Sequence, residues 1–278
     1  MNIIKAILFG IVEGITEWMP VSSTAHMKIL NTLVTLKVSP EFYDVFEVVI
    51  QLGAIAALII IFWKKIFPFG KSKNPMGPGI LSLVKKDKFI LWVKIVIACL
   101  PAIIYELFLD KILNFVNEKN EMIIIAISLI LVGLVFIGVE FYVKDKKPDK
   151  VNTRQITYQN ALIIGLVQLI AAIFPGVSRS GSTIIASLLL GISRVAAVEF
   201  TFELAIPVMA GASLMKVLKY GFHFSFEEVM IMFTGCSFAF IVSFFMIGFV
   251  LNYIKKNNFN MFGIYRILLG IIIFMFLV

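Results

Sequence analysis

Six continuous apolar runs dominate the chain, over 42–63, 89–109, 120–143, 195–218, 227–253 and 262–278. Each approaches the roughly 20 residues that a helix needs to cross about 30 Å of hydrocarbon. Their Ile, Leu, Phe and Val positions do not alternate, which excludes the alternating strands of a membrane barrel and predicts helices. Two further apolar regions, 3–36 and 158–191, are cut near the middle by Pro20 and Pro175, each followed by a serine-rich stretch. Backbone that leaves helical form at membrane depth has to be buried in protein or line a cavity. Both regions are therefore expected to be re-entrant helical hairpins. The expected fold is an all-α integral membrane protein: six transmembrane helices plus two re-entrant hairpins in a single membrane domain, 1–278.

Composition agrees with this pattern. Of 278 residues, 60% are hydrophobic and 15% charged, with a mean hydropathy of +0.99, too apolar for a soluble domain of this length. Glu13 and Glu17 interrupt the opening apolar stretch and no small-residue cleavage site follows, so it is not expected to be a cleavable signal peptide. The net charge of +8 lies between spans rather than on a folded face, which favours the positive-inside rule over nucleic-acid binding. Lys64, Lys65, Lys71, Lys73, Lys85, Lys86 and Lys88 fill one loop, and Lys144, Lys146, Lys147, Lys150 and Arg154 another. With these loops cytoplasmic, both termini lie outside, the first hairpin enters from outside and the second from inside. Cys99 and Cys236 fall within spans and read as small buried hydrophobes.

The two broken regions resemble each other. Gly10, Val12, Glu13, Ile15, Pro20 and Ser23 align with Gly165, Val167, Gln168, Ile170, Pro175 and Ser178, and the pair Phe46-Glu47 recurs as Phe202-Glu203. Chance similarity between apolar segments is the alternative to duplication. Duplication gives two halves, 1–150 and 151–278, of one hairpin and three spans each. Three is odd, so the halves insert with opposite orientation as an inverted repeat whose hairpin tips meet near the midplane.

The tips carry the chemistry. Glu13 and Glu17 are four apart and share one helix face. Carboxylates in hydrocarbon are costly and mark function. The pair requires a cation, either a divalent metal, Mg²⁺ or Ca²⁺ given all-oxygen ligands, or Arg179 directly; an amphipathic helix lying in water is the alternative. Ser22, Ser23 and Thr24 are natural N-cap residues, and His26 follows one turn later, either as a base beside a serine nucleophile or as packing behind a cap. In the second tip, Gly176, Ser178, Arg179, Ser180 and Thr183 read as an anion cradle, with the arginine fork suited to phosphate. An ion pair with Glu13 or Glu17 is the plainer use of Arg179. No P-loop lysine is present, neither cysteine has an arginine six residues later, and His223 sits in a short outer link. Glu47, Gln51, Glu199 and Glu203, at or within span starts, are ranked behind the tip residues.

The stretches Glu13-Gly-Ile-Thr-Glu17-Trp-Met-Pro-Val-Ser-Ser-Thr-Ala-His26 and Pro175-Gly-Val-Ser-Arg-Ser-Gly-Ser-Thr183 resemble the two signature motifs of the bacitracin-resistance family of undecaprenyl-diphosphate phosphatases. The resemblance continues through Phe46–Ala54, Ala205–Gly211 and Tyr265–Gly270. It implies a bacterial plasma-membrane enzyme that hydrolyses undecaprenyl diphosphate to the monophosphate, recycling the lipid carrier for peptidoglycan and conferring bacitracin resistance. It further implies an active site facing outside, metal dependence and a homodimer. By motif position, Glu13, Glu17, Ser22, Ser23, His26 and Arg179 would be catalytic. Gly176, Ser178, Arg179, Ser180 and Thr183 would hold phosphate, and Glu13 and Glu17 the metal. The expected chemistry is attack by Ser23 or water with His26 as proton acceptor. A polyprenyl-phosphate transporter or flippase is the rival, because inverted repeats with broken helices are also transporter architecture.

Overall fold

The computed structural model describes residues 1–71, 74–106 and 120–277. These residues are helical, with only isolated β-bridges between extended segments. The first hairpin is α1 (Asn2–Thr16) and α2 (Ser23–Leu33), followed by α3 (Pro40–Val49) and α4 (Gln51–Ile66), which join at Ile50. Next come α5 (Lys86–Ile104) and α6 (Glu121–Val143). The second hairpin is α7 (Tyr158–Ile173) and α8 (Arg179–Leu189), followed by α9 (Arg194–Tyr220), α10 (Phe226–Ile254) and α11 (Asn260–Phe276).

Local sequence accounts for many of the helix starts. Ser39, Ser193 and Ser225 each cap the helix that follows by accepting from a backbone N–H in its first turn, and Pro40 takes the first helical position, where no N–H is needed. Among the described residues four helices are long and apolar enough to cross a bilayer: the joined Pro40–Ile66, α6, α9 and α10. They coincide with four of the six expected spans. At the other two, α5 carries Lys86, Asp87, Lys88 and Lys94, and α11 is 17 residues long. Residues 107–109 of the expected span 89–109, the link from Asp110 to Lys119, Lys73 and Val278 lie outside the described residues.

Helix pairing follows a regular scheme. The first hairpin's α1 packs along α10, the second hairpin's α7 packs along α5, and α6 packs along α11. Helix α9 is central, touching α3, α4, α5, α8 and α10. Small residues set the close approaches: Gly10 faces the carbonyl of Gly235, Gly165 that of Ala98, and Gly53 that of Cys236, with no room for a Cβ at any of them. Such contacts are how helices gain packing energy where burial from water gives little. Many large apolar side chains, among them Leu134, Phe141, Phe233, Phe245 and Leu268, stay exposed on the outer surface, an extent of apolar surface that soluble monomers rarely show.

Ionic contacts gather at the two ends of the bundle. At one end Lys28 meets Glu47 and Glu121, and Lys219 meets Glu106; at the other Lys65 meets Glu199, Arg154 meets Asp87 and Arg194 meets Glu140.

The glycine contacts are directly testable. Gly165→Ala drives a methyl into the Ala98 carbonyl and should destabilise by about 1–3 kcal/mol, whereas Gly138→Ala, which meets open space, should be neutral. Thermal unfolding in detergent distinguishes the two, and equal midpoints would contradict this packing.

Candidate active site

The two hairpin tips are built alike. Helix α1 ends at Thr16, the chain turns through Trp18 and Pro20, and Ser22 caps α2 by accepting from the Ala25 N–H. Helix α7 ends at Ile173, the chain turns through Pro175 and Gly176, and Ser178 caps α8 by accepting from the Gly181 N–H at 3.1 Å. Both caps have positive φ, 74° at Ser22 and 73° at Ser178, the only such non-glycine residues among those described. That conformation costs energy for a residue with a side chain and persists only where the surroundings enforce it. The caps place Ser22 opposite Ser178, one residue off the alignment that paired Ser23 with Ser178. The second tip has an additional residue, Gly176, whose positive φ and close contact with the Ile125 backbone suit only glycine. Ser23 and Arg179 therefore open their respective helices at equivalent positions.

One carboxylate joins these two positions. Glu17 Oε2 accepts from Ser23 Oγ at 2.6 Å, and Glu17 Oε1 accepts from Arg179 Nη2 at 2.7 Å. Arg179 Nη1 also donates to the Thr201 carbonyl of α9 at 3.2 Å. Beside this row lies a cavity of about 140 Å³, lined by Glu17, Ser22, Ser23 and Thr24 from the first tip and Ser178, Arg179 and Ser180 from the second. Gln51 completes its polar rim, and Val208, Met209 and Ala212 of α9 form an apolar wall. Hydroxyl, carboxylate and guanidinium thus converge on a small space that also receives the N-termini of α2 and α8, a setting that favours an anion.

The family model for the bacitracin resistance protein BacA matches residues 6–272. The chain belongs to the BacA family. This BacA-family chain is 49% identical over 278 residues to the undecaprenyl-diphosphatase of Desulfitobacterium hafniense, covering 99% of this chain and 96% of that one. It is 47% identical to an Enterococcus faecalis undecaprenyl-diphosphatase and 48% identical to that of Lachnoclostridium phytofermentans, each over 98% of this chain and 96% of the relative.

Not every residue expected at the BacA site reaches the cavity. His26 Nδ1 lies 2.7 Å from the Ser22 carbonyl and Nε2 lies 2.7 Å from the Tyr265 hydroxyl, with the two rings stacked. A carbonyl can only accept, so Nδ1 carries a proton, and in the neutral ring Nε2 accepts from the Tyr265 hydroxyl. His26 braces the tip, and neither of its ring nitrogens bonds Ser23. Thr183 is fully buried and bonded to Thr201 and to carbonyls of its own helix, and the Gly176 carbonyl is taken up elsewhere. Glu13 is buried one turn below Glu17, and among the described residues neither of its oxygens has a hydrogen-bond partner. Gln168, its counterpart in the second hairpin, is likewise buried and unpartnered.

Arg266 of α11 was not singled out from the sequence as a site residue, yet it holds both tips. Fully buried, it donates from Nη1 to the Pro20 carbonyl at 3.0 Å and from Nη2 to the carbonyls of Gly176 at 2.7 Å and Val177 at 2.9 Å. The signal was present: an arginine inside the apolar stretch Asn260–Phe276 has to find acceptors in the protein. Arg266→Leu leaves those three carbonyls without a donor and should cost at least about 3 kcal/mol, while Arg266→Lys, with charge but no fork, should fall between. Thermal unfolding in detergent measures this, and an unchanged midpoint for the leucine variant would exclude the clamp.

Proposed function

We propose that this chain hydrolyses undecaprenyl diphosphate to undecaprenyl phosphate and inorganic phosphate, recycling the lipid carrier used for peptidoglycan synthesis and so resisting bacitracin. The observation that carries the reading is the Ser23–Glu17–Arg179 row beside a cavity where both tips meet, in a chain alike over nearly its full length to undecaprenyl-diphosphatases. Charge neutralisation and positioning supply most of the catalysis in phosphoryl transfer, and both are available here.

In this mechanism the terminal phosphate sits against Arg179, Ser178 and Ser180 with the polyprenyl tail in lipid. Ser23 Oγ attacks the terminal phosphorus as its proton passes to Glu17. The bond from that phosphorus to the bridging oxygen breaks, and undecaprenyl phosphate leaves with the bridging oxygen and its electron pair. Water then cleaves the phosphoserine, and the proton on Glu17 returns to Ser23. Glu17 replaces His26 as proton acceptor because Ser23 is hydrogen-bonded to Glu17 and not to the imidazole. His26 and Tyr265 keep the first tip in place.

The buried, unpartnered oxygens of Glu13 are what a bound cation would satisfy, although among the described residues no cluster of three or more His, Cys, Asp or Glu side chains is present. Glu13 and Glu17 would hold a divalent ion, Mg²⁺ or Ca²⁺, and that ion would offset charge on the diphosphate.

The same reading takes the chain as two inverted halves, 1–150 and 151–278, in a bacterial plasma membrane. It has six spans and two re-entrant hairpins, with the site open to the outside and the chain assembled as a homodimer. Supporting the inverted halves, α1 pairs with α10 as α7 pairs with α5, and the two caps share one conformation. Supporting the orientation, the lysine-rich segments around Lys64 and Lys146 lie at the end of the bundle away from Lys28. No observation favours a transporter.

Phosphate release from undecaprenyl diphosphate in detergent, where no gradient exists, tests the activity. Arg179→Ala should lower turnover about 10²–10³-fold, and a rate near wild type would remove Arg179 from the mechanism. Ser23→Ala should abolish both turnover and any phosphoenzyme; retained turnover would make water the nucleophile. Glu17→Gln should slow turnover and flatten its dependence on added divalent metal, and an unaltered metal titration would argue against ligation there.

A further inference from the structure

A much larger cavity, about 890 Å³, opens at the opposite end of the bundle from Lys28, where α6, α8 and α10 end and α9 begins. Lys146 and Lys147 reach it from the segment after α6, and Lys255 and Lys256 from the segment after α10. These segments are far apart in sequence. The positive-inside rule requires lysines on this side but does not require them to surround one cavity.

The charge balance is strongly positive. Arg194 is neutralised by Glu140, to which it donates from Nε at 2.9 Å, leaving Asp149 as the one acidic residue in the lining. Lys146 stands over the Tyr142 ring and Lys255 bonds the Asn252 side chain. Among the described residues the Lys147 and Lys256 side chains have no ion-pair or hydrogen-bond partner, and both residues are exposed; the backbone N–H of Lys256 bonds the Tyr253 carbonyl. The frame around them is fixed. Glu140, with its carboxylate buried, also accepts from the Phe259 N–H at 3.0 Å, so one carboxylate ties α6, α9 and the α10–α11 link. The segment 149–150 is bonded to Gly191 and Ser193. On the side wall, Tyr142 and Leu189 are more than half exposed and present apolar surface beside the lysines.

We propose that this cavity binds the headgroup of an anionic phospholipid from the leaflet on the lysine-rich side. Lys147 and Lys256 take the phosphodiester, and the acyl chains lie along Tyr142 and Leu189. Basic pockets between transmembrane helices suit such headgroups. A free anion would use the lysines but not the apolar wall; a phospholipid uses both. The site is separate from the hairpin tips and does not depend on the hydrolysis assigned to them.

Native mass spectrometry of the full-length chain in detergent tests the proposal, with phosphatidylglycerol and phosphatidylcholine as probes and inorganic phosphate as competitor. Phosphatidylglycerol should be retained over phosphatidylcholine, and excess inorganic phosphate should leave it bound. An anionic surface gives about fivefold in affinity per lysine, so Lys147→Gln with Lys256→Gln should weaken phosphatidylglycerol binding roughly 25-fold. Lys147→Arg with Lys256→Arg should restore it, which separates lost charge from lost fold, and turnover in detergent should be unchanged in both variants. Equal retention of the two lipids, undiminished binding by the glutamine variant, or displacement by inorganic phosphate would each overturn the site.

Discussion

Helices α1 and α7 stop at turns buried within the bundle, at Pro20-Val21 and Gly176-Val177, and the peptide groups beyond each stop need partners inside the protein. The rest of the architecture around the tips depends on how those groups are satisfied. Arg266 supplies one guanidinium to carbonyls of both tips, while the Ser22 and Ser178 side chains accept from the first turns of the helices that restart. With the carbonyls held from one side and the helix starts capped from the other, the positive φ at both serines is enforced. Trp18 and Val21 then pack with Phe136, Ile184 and Phe202 beneath the tips, and Glu17, Ser23 and Arg179 are brought within hydrogen-bond reach.

Buried charge elsewhere in the bundle divides into two kinds. Glu140 with Arg194 and Lys28 with Glu47 and Glu121 join separate helices. Such pairs are weak contributors to net stability because desolvation offsets most of their attraction, so their value lies in fixing which helix meets which. Glu13 and Glu203 are of the other kind, buried with carboxylate oxygens that find no hydrogen-bond partner among the described residues, and the neutral amide of Gln168 is left in the same way. A structure selected for stability alone would replace them with hydrocarbon.

The helical class, the placement of the apolar runs and the break at each proline were legible because hydrophobic length and proline act locally. The contact between Arg179 and a tip carboxylate was open to reasoning from charge, since an arginine and two glutamates in hydrocarbon all seek partners. Which carboxylate, and that Ser23 would share it, was not, because both depend on where two distant turns come to rest. Which of its two readings His26 follows, base or packing, was not legible for a related reason. Its spacing from Ser22 and Ser23 fits a helix turn, but Tyr265 lies 239 residues away in sequence and turns the ring toward itself. The one-residue offset between the caps was hidden as well, since Gly176 looks like an ordinary turn glycine until its contact with Ile125 is seen.

The bond between Glu17 and Arg179 means that the guanidinium is already occupied before any phosphate arrives. An incoming anion has to compete with a carboxylate held in place by the fold, so weakly charged ions gain little by entering. In the mechanism proposed above, a diphosphate draws the guanidinium away from the carboxylate and so frees Glu17 as the proton acceptor beside Ser23. On that mechanism the resting contact acts as a threshold on ligand charge and couples occupancy of the site to the readiness of its base.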